Sequence, residues 1–369
     1  MNKSTLMGVV GGFAVGILVG TFVFQSGGNQ QDAGDHGEVS GVSPAQETVV
    51  NWSMPSSFPA TMLIGGTGGK DFEENIRILS NGMLNIKFFD PGALLPPLEI
   101  FDAVSAGAAN TGWTSSGYWA GKVPALQFFS AIPFGPGAGE YVAWMYHGGG
   151  LKMMQEIYAR HNVISQPCFM TPPEGSGWFR FEVKSVDELK GLKMRFFGLG
   201  AKVMEKIGVS TQLIAGGDIF PALELGTIDA TEFAMPVMDL DLGFHEVAKH
   251  YYFPGWHQPT SLGEFMVNLD DWNSLSDTHK ELINTVCRAN MMRTFALGDA
   301  AQFPALKEIQ AKGVTLHRWS QETLDVLEGA WHEVVEEMAS EDEDFARVWA
   351  SLKSFREEYK VWGDLGYLD

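Results

Sequence analysis

Residues 189–233 read LKGLKMRFFGLGAKVMEKIGVSTQLIAGGDIFPALELGTIDATEF. Two short apolar runs, Lys193–Phe197 and Thr211–Ala215, are each followed by a segment long enough for a helix. That is the punctuation of strands alternating with helices. Upstream, Val163–Met170 and Gly177–Val183 read as strands of the same unit. An earlier series runs Val49–Trp52, a helix around Phe72–Leu79, Met83–Phe89, a helix around Pro96–Ala106 and a strand at Ala125–Ile132, followed by a helical stretch from Gly139 to Arg160. The economical reading is two α/β units in series, and 369 residues is the length of two ordinary domains.

From about Asp271 onward strands become scarce and helical periodicity takes over. Phe345, Val348, Leu352, Phe355, Tyr359 and Trp362 are spaced as the seam of a helix lying along a partner. Leu324, Leu327, Trp331, Val334 and Met338 continue the stripe upstream, with SEDED (340–344) interrupting it. Such a helix docks either on its own domain or on a second subunit. At the other end, Leu6–Phe24 is 19 residues without a charge, close to the ~20 that span a bilayer, and predicts an export signal or an uncleaved anchor. Gly8, Gly12, Gly16 and Gly20 recur every fourth residue, which reads either as the small-residue stripe of closely packed membrane helices or as a glycine-rich apolar segment with no partner. Gln25–Gln46 has almost no apolar residues and reads as a tether, placing the rest of the chain outside the cytoplasm.

Charge and motif arithmetic exclude several functions. With 25 Lys and Arg against 45 Asp and Glu, the net charge of −20 repels a nucleic-acid backbone, and any anionic ligand must be held by a local cation. Neither Gly69-Lys70 nor Gly117–Lys122 completes a phosphate-binding loop. His245 and His250 are five apart, where a zinc helix needs four, and His332 with Glu336 sits in an acidic helix that reads as a solvated face. No G-x-S-x-G elbow occurs. Cys168 and Cys287 are compatible with one disulfide or with two buried thiols.

The order LKGLKMR, helix, short strand, DIFPALELGTIDATEF resembles the substrate-binding proteins of tripartite ATP-independent periplasmic (TRAP) transporters, the DctP-type extracytoplasmic solute receptors. The resemblance covers about residues 49–362. SSFP (56–59), GYWAGK (117–122), GWFR (177–180), IDATE (228–232) and WHQP (256–259) point to the branch for α-keto acids and related 2-hydroxy acids. It implies an α/β, two-lobed periplasmic-binding-protein fold with a hinge cleft and a long carboxy-terminal helix, which closes on its ligand without performing chemistry. The expected division is a signal or anchor at 1–25, a tether at 26–48, the first part of lobe I at 49–162, lobe II at 163–258, a return to lobe I and hinge at 259–319, and the long helix, a possible homodimer contact, at 320–369.

By the same resemblance, Arg195 at the end of the K-x-R strand holds the ligand carboxylate. A guanidinium suits that role because it stays charged when buried and binds carboxylates through two parallel N–H donors. Arg180, in GWFR, resembles a scaffold position instead. Glu174, Glu232 and the backbone carbonyl of Phe233 match the positions that bind a metal ion beside the ligand, and Gln258 matches a glutamine that hydrogen-bonds it. Of the aromatic residues Trp113, Tyr118, Trp119, Phe128, Phe129 and Phe134, Tyr118 is expected to reach the ligand with its hydroxyl. Two positions depart from the pattern: Phe233 stands where tryptophan is expected, and Glu174 where a neutral glutamine is expected. The second adds a negative charge, so Ca²⁺ is expected at least as readily as Na⁺. The implied function is a periplasmic receptor, either free or tethered to the inner membrane by residues 6–24, that delivers a small 2-oxo or 2-hydroxy monocarboxylate such as pyruvate or lactate to a TRAP permease. A ligand-sensing ectodomain is the alternative, and an enzyme using Glu174 and Glu232 as acid and base is a third reading.

Overall fold

The computed structural model describes residues 48–367, so the anchor expected at 1–25 and all but the last residue of the tether expected at 26–48 lie outside the described residues. Among the described residues no helix is long and apolar enough to cross a membrane. β1 (Val50–Pro55) and β2 (Leu84–Phe89) pair in parallel across α1 (Gly65–Leu79). Their alternation is that of half-buried strands: Trp52 and Met54 face Ile86 and Phe88 across the ladder, all four buried, while Lys87 points out. α2 (Ile100–Ser105) leads into β3 (Thr111–Thr114).

The apolar run expected as a strand at Ala125–Ile132 is instead a 3₁₀ segment, Pro124–Phe129. Pro124 sets its first turn and Ala125–Phe129 are all buried, Gln127 included, and a run buried on every side has no periodicity to separate strand from helix. The helix expected over Gly139–Arg160 is two helices, α3 (Ala138–His147) and α4 (Gly150–Ala159). They part at Gly148-Gly149, where Gly149 takes φ +91°, a conformation that favours glycine.

β4 (Val163–Thr171) and β5 (Gly177–Phe179) follow, then β6 (Lys193–Arg195), α5 (Gly198–Lys206), β7 (Ser210–Gln212), α6 (Gly216–Glu224) and β8 (Ala230–Thr231). Next come α7 (Pro236–Asp241), α8 (Phe244–Val247), β9 (His250–Phe253), β10 (Ser261–Asn268), α9 (Leu269–Ser274), the 35-residue α10 (Asp277–Ala311) and β11 (Thr315–Arg318). β10 lies between β3 and β4, antiparallel to both, and a six-stranded sheet has the order β11-β9-β5-β8-β6-β7. β4, which sequence reading placed at the opening of the second lobe, therefore shares a sheet with β3, and β11 joins the six-stranded sheet. The chain passes between these sheets at 172–176, at 254–260 and along α10. A disulfide joins Cys168 of β4 to Cys287 of α10.

The carboxy-terminal stripe divides into α11 (Gln321–Glu341) and α12 (Glu343–Gly366), broken at Asp342, whose carboxylate accepts the Phe345 N–H (2.7 Å) and caps the second helix. Phe345, Val348 and Leu352 are buried in the same molecule, with the Phe345 ring 4.5 Å from that of Phe128. Phe355 and Tyr359 are partly buried, and only the end of the helix beyond them lies open: Trp362 is 59% and Leu365 82% exposed.

Candidate functional site

β6 pairs in parallel with both β7 and β8, setting Arg195 opposite Gln212 and Thr231. Three parallel strands thus release their carboxyl ends side by side, the place where open α/β sheets gather ligands. Arg195 is 1% exposed. Its Nε donates to the Ile214 carbonyl (3.1 Å), and its Nη1 donates to the Glu232 carbonyl (2.6 Å) and to Glu232 Oε1 (2.8 Å). The Phe197 N–H also donates to Glu232 Oε1 (2.5 Å). One side of the guanidinium is thereby anchored to the sheet, which fixes its plane, and the residue lines a cavity.

The opposite wall comes from the two loops that cross between sheets. They are zipped together: the Glu174 N–H donates to the Gln258 carbonyl (3.3 Å) and the Gly255 N–H to the Glu174 carbonyl (3.1 Å). Glycine is required at two points. A Cβ on Gly255 would stand 2.3 Å from the Glu174 carbonyl oxygen, and one on Gly175 would stand 2.2 Å from the Tyr251 hydroxyl. Glu174 is buried and accepts from Ser261 Oγ (3.1 Å) and Thr171 Oγ1 (3.3 Å). With its amide oriented to satisfy its neighbours, Gln258 donates to both Glu174 oxygens (3.1 and 3.2 Å). Burial, followed by the nearby Glu232 and Asp239 carboxylates, holds the Glu174 carboxyl well above the usual carboxylate range, and the two hydroxyls oppose this only in part.

The cavity leaves about 40 Å³ of free space, room for a few water-sized groups. Arg195, Glu174, Gln258, Phe233 and Tyr118 all line it, with Phe58, Phe169, Phe197 and Met238 among the apolar walls. The Tyr118 ring stands edge-on to Phe197 at 4.9 Å, and burial raises its phenol while Arg195 pulls the other way. The Phe233 ring lies 5.3 Å from the guanidinium carbon. Of the six first-lobe aromatics, only Tyr118 reaches the cavity. Trp113, Trp119, Phe128 and Phe129 are core, and Phe134 stacks on Trp256. Arg180 is exposed at the end of β5. The HEVAKH near-match spans the end of α8 and the start of β9, so no single helix carries both histidines.

Sequence reading missed three charged or polar residues of this region. Asp239, in the first turn of α7, accepts from Trp178 Nε1 (2.8 Å), the Tyr251 hydroxyl (2.8 Å) and the Ala234 N–H (3.1 Å), which braces the Phe233–Ala234 turn; burial pushes it up to about 7. Glu264 of β10 is buried outside the cavity lining, where it accepts hydrogen bonds from Trp119, Tyr158 and Ser165. His257 is buried with its Nε2 3.5 Å from Glu232 Oε2. One ligand atom each from Glu174, Glu232 and His257 lies within 4.8 Å of the others. Glu232 Oε2 has no hydrogen-bond partner. A buried carboxylate oxygen without a donor is costly, and an oxygen-rich set with two carboxylates suits a hard cation, so these residues fit a bound metal ion. The signal that offered His257 was WHQP itself.

The model of the bacterial extracellular solute-binding proteins, family 7 (DctP), matches residues 57–342. A monocarboxylate 2-oxoacid-binding periplasmic protein of Nostoc sp. is 39% identical over 321 residues, 86% of this chain and 87% of that protein. The structure is similar to a TRAP transporter solute-binding protein of Bordetella bronchiseptica (TM-score 0.84, 33% identity, 86% of this chain and 95% of that one), a mixed-occupancy dimer with copurified calcium and picolinate in its bound site. It is also similar to a TRAP periplasmic solute-binding protein of Pseudoalteromonas atlantica with bound sodium and pyruvate (TM-score 0.82, 31% identity, 86% and 97%). The α/β architecture, the buried arginine at the strand ends and the family match over most of the chain agree, and this protein belongs to the DctP family of bacterial extracellular solute-binding proteins.

Proposed function

We propose that the protein is the solute receptor of a TRAP transporter, capturing a small 2-oxo or 2-hydroxy monocarboxylate of pyruvate size with a cation and handing it unchanged to the membrane permease. One observation carries this reading: Arg195 is buried with Nε and Nη1 committed to the sheet, and it lines a small cavity whose far wall holds Glu174. A carboxylate in that cavity meets a guanidinium whose orientation is already fixed, so little ordering entropy is lost on binding. Tyr118 donates its hydroxyl to the acid while its ring and Phe58 exclude water. Glu174, Glu232 and the Phe233 carbonyl hold the cation, which supplies positive charge to the acid's oxygens. Once a bound cation displaces the proton that burial favours on Glu174, Glu174, Glu232 and the acid together carry −3 against the +1 of Arg195, so a divalent ion brings the buried cluster to neutrality where Na⁺ leaves −1. The named relatives support the class, one with calcium and picolinate and one with sodium and pyruvate.

Release requires the cleft to open. The crossings at 172–176 and 254–260 are the hinge in this reading, because they join the two sheets and carry Glu174 and Gln258 themselves, so opening separates the cation side of the pocket from its apolar walls. The uncovered end of α12, with Val361, Trp362 and Leu365 exposed, is the face proposed for a second copy of the chain. Calorimetry of metal-stripped protein against 2-oxo and 2-hydroxy acids, with and without Ca²⁺ or Na⁺, tests the whole reading. Cation-dependent binding with the acid recovered intact is expected, and an acid recovered as a reaction product refutes it.

A further inference from the structure

Resting on that receptor reading, we propose that His257 is a third side-chain ligand of the cation, so that the site holds a borderline divalent ion such as Co²⁺ or Zn²⁺ more tightly than Ca²⁺ or Na⁺. His257 is 1% exposed and neither ring nitrogen has a hydrogen-bond partner, and the carboxylate oxygen it faces, Glu232 Oε2, has none either. Three orphaned polar atoms in one buried place are an unbalanced cost unless a guest joins them. The 3.5 Å between His257 Nε2 and Glu232 Oε2 is too long for the hydrogen bond that would satisfy both. It is close to the separation of two ligands that share one ion, roughly 3.4 Å for bonds of about 2.1 Å meeting near the tetrahedral angle.

The imidazole is clamped in this position. The Phe196 ring stands 5.0 Å from it and the Trp256 ring 5.5 Å, both near perpendicular. Gly200 of α5 approaches so closely that a Cβ there would lie 2.8 Å from the His257 Cβ. The zipped loops fix the third vertex, since Glu174 and Gln258 are hydrogen-bonded main chain to main chain. Two carboxylates and an imidazole are a mixed oxygen and nitrogen set. Calcium and sodium gain little from the nitrogen, whereas Co²⁺ and Zn²⁺ bind imidazole strongly.

The test uses metal-stripped full-length protein. Mn²⁺-loaded samples, made with natural-abundance histidine and with ¹⁵N-histidine, are compared by electron spin-echo envelope modulation. A nitrogen modulation that changes with the histidine isotope is expected, because His257 is the histidine beside Glu174 and Glu232. Calorimetry with Co²⁺ and Ca²⁺ is run on the parent and on His257→Gln, with circular dichroism checking the fold. The variant is expected to lose at least tenfold in Co²⁺ affinity and less than threefold in Ca²⁺ affinity. An isotope-independent spectrum, or unchanged Co²⁺ affinity in a folded variant, overturns the proposal, and the parent spectra decide it if the variant does not fold. The acid titration is read separately: histidine coupling in a protein that binds no acid sustains the ligand assignment while removing the receptor reading.

Discussion

Replacing Arg195 with lysine keeps the charge and removes the geometry. In the parent, Nε and Nη1 make three hydrogen bonds, to the Ile214 carbonyl, the Glu232 carbonyl and Glu232 Oε1, and these hold the rest of the guanidinium toward the cavity. An ammonium has three donors on one atom and cannot serve the sheet and the acid together. A hydrogen bond to a charged partner contributes about 1.5–3 kcal/mol, so losing one ligand-directed bond weakens acid binding by about 2 kcal/mol, roughly 30-fold. The Ile214 carbonyl loses its donor as well, which costs stability on the order of 1–3 kcal/mol. Calorimetry of the Ca²⁺-loaded proteins with pyruvate and with its neutral amide measures the effect, and thermal unfolding checks the fold. The parent is expected to prefer acid over amide strongly, and the lysine variant to lose most of that preference. If the variant binds pyruvate within threefold of the parent, or loses affinity equally for acid and amide, Arg195 does not hold the carboxylate.

Glu174→Gln removes one buried negative charge, and the ratio of Ca²⁺ to Na⁺ affinity is expected to fall at least tenfold by calorimetry; an unchanged ratio refutes the charge argument. Glu264 is pushed up to about 7 because desolvation outweighs its hydrogen bonds from Ser165, Tyr158 and Trp119. A raised acid keeps in the folded state a proton that the unfolded chain releases, so its stabilising contribution is complete below the ordinary carboxylate pKa near 4.5 and is lost as pH rises through about 7. That change is worth about 3 kcal/mol. Glu264→Gln is therefore expected to flatten the decline in urea stability between pH 5 and 8 while leaving acid affinity unchanged, and an equally steep decline would count against it. The disulfide closes a loop with a sequence separation of 119 residues between β4 and α10. The paired Cys168→Ala and Cys287→Ala substitutions are expected to lower unfolding stability by about 2–5 kcal/mol in denaturant titrations with little change in affinity.

The candidate site residues that sequence reading singled out are those whose position follows from local order along the chain. Arg195 ends a short strand and Glu232 follows another in a β/α alternation, and parallel pairing brings such strand ends together whatever surrounds them. Glu174, Gln258 and Tyr118 line one cavity with Arg195, whereas Glu232 lies outside its lining. Errors arose where local pattern is uninformative. Pro124–Phe129 is buried on every face, and β10, buried along its whole length, is placed by its two neighbours, β3 from residues 111–114 and β4 from 163–171.

Alternating burial, the strand-ending arginine and the acidic residues near it were determined by the sequence alone, because each depends on backbone periodicity over a few residues. Tertiary structure decided the rest: which sheet claims β4, that the carboxy-terminal stripe covers its own domain before running out into solvent, and that His257 turns toward Glu232. Those outcomes depend on contacts between segments far apart in the chain, such as the loop at 172–176 zipped to the one at 254–260, and no local pattern encodes the distance between two such segments.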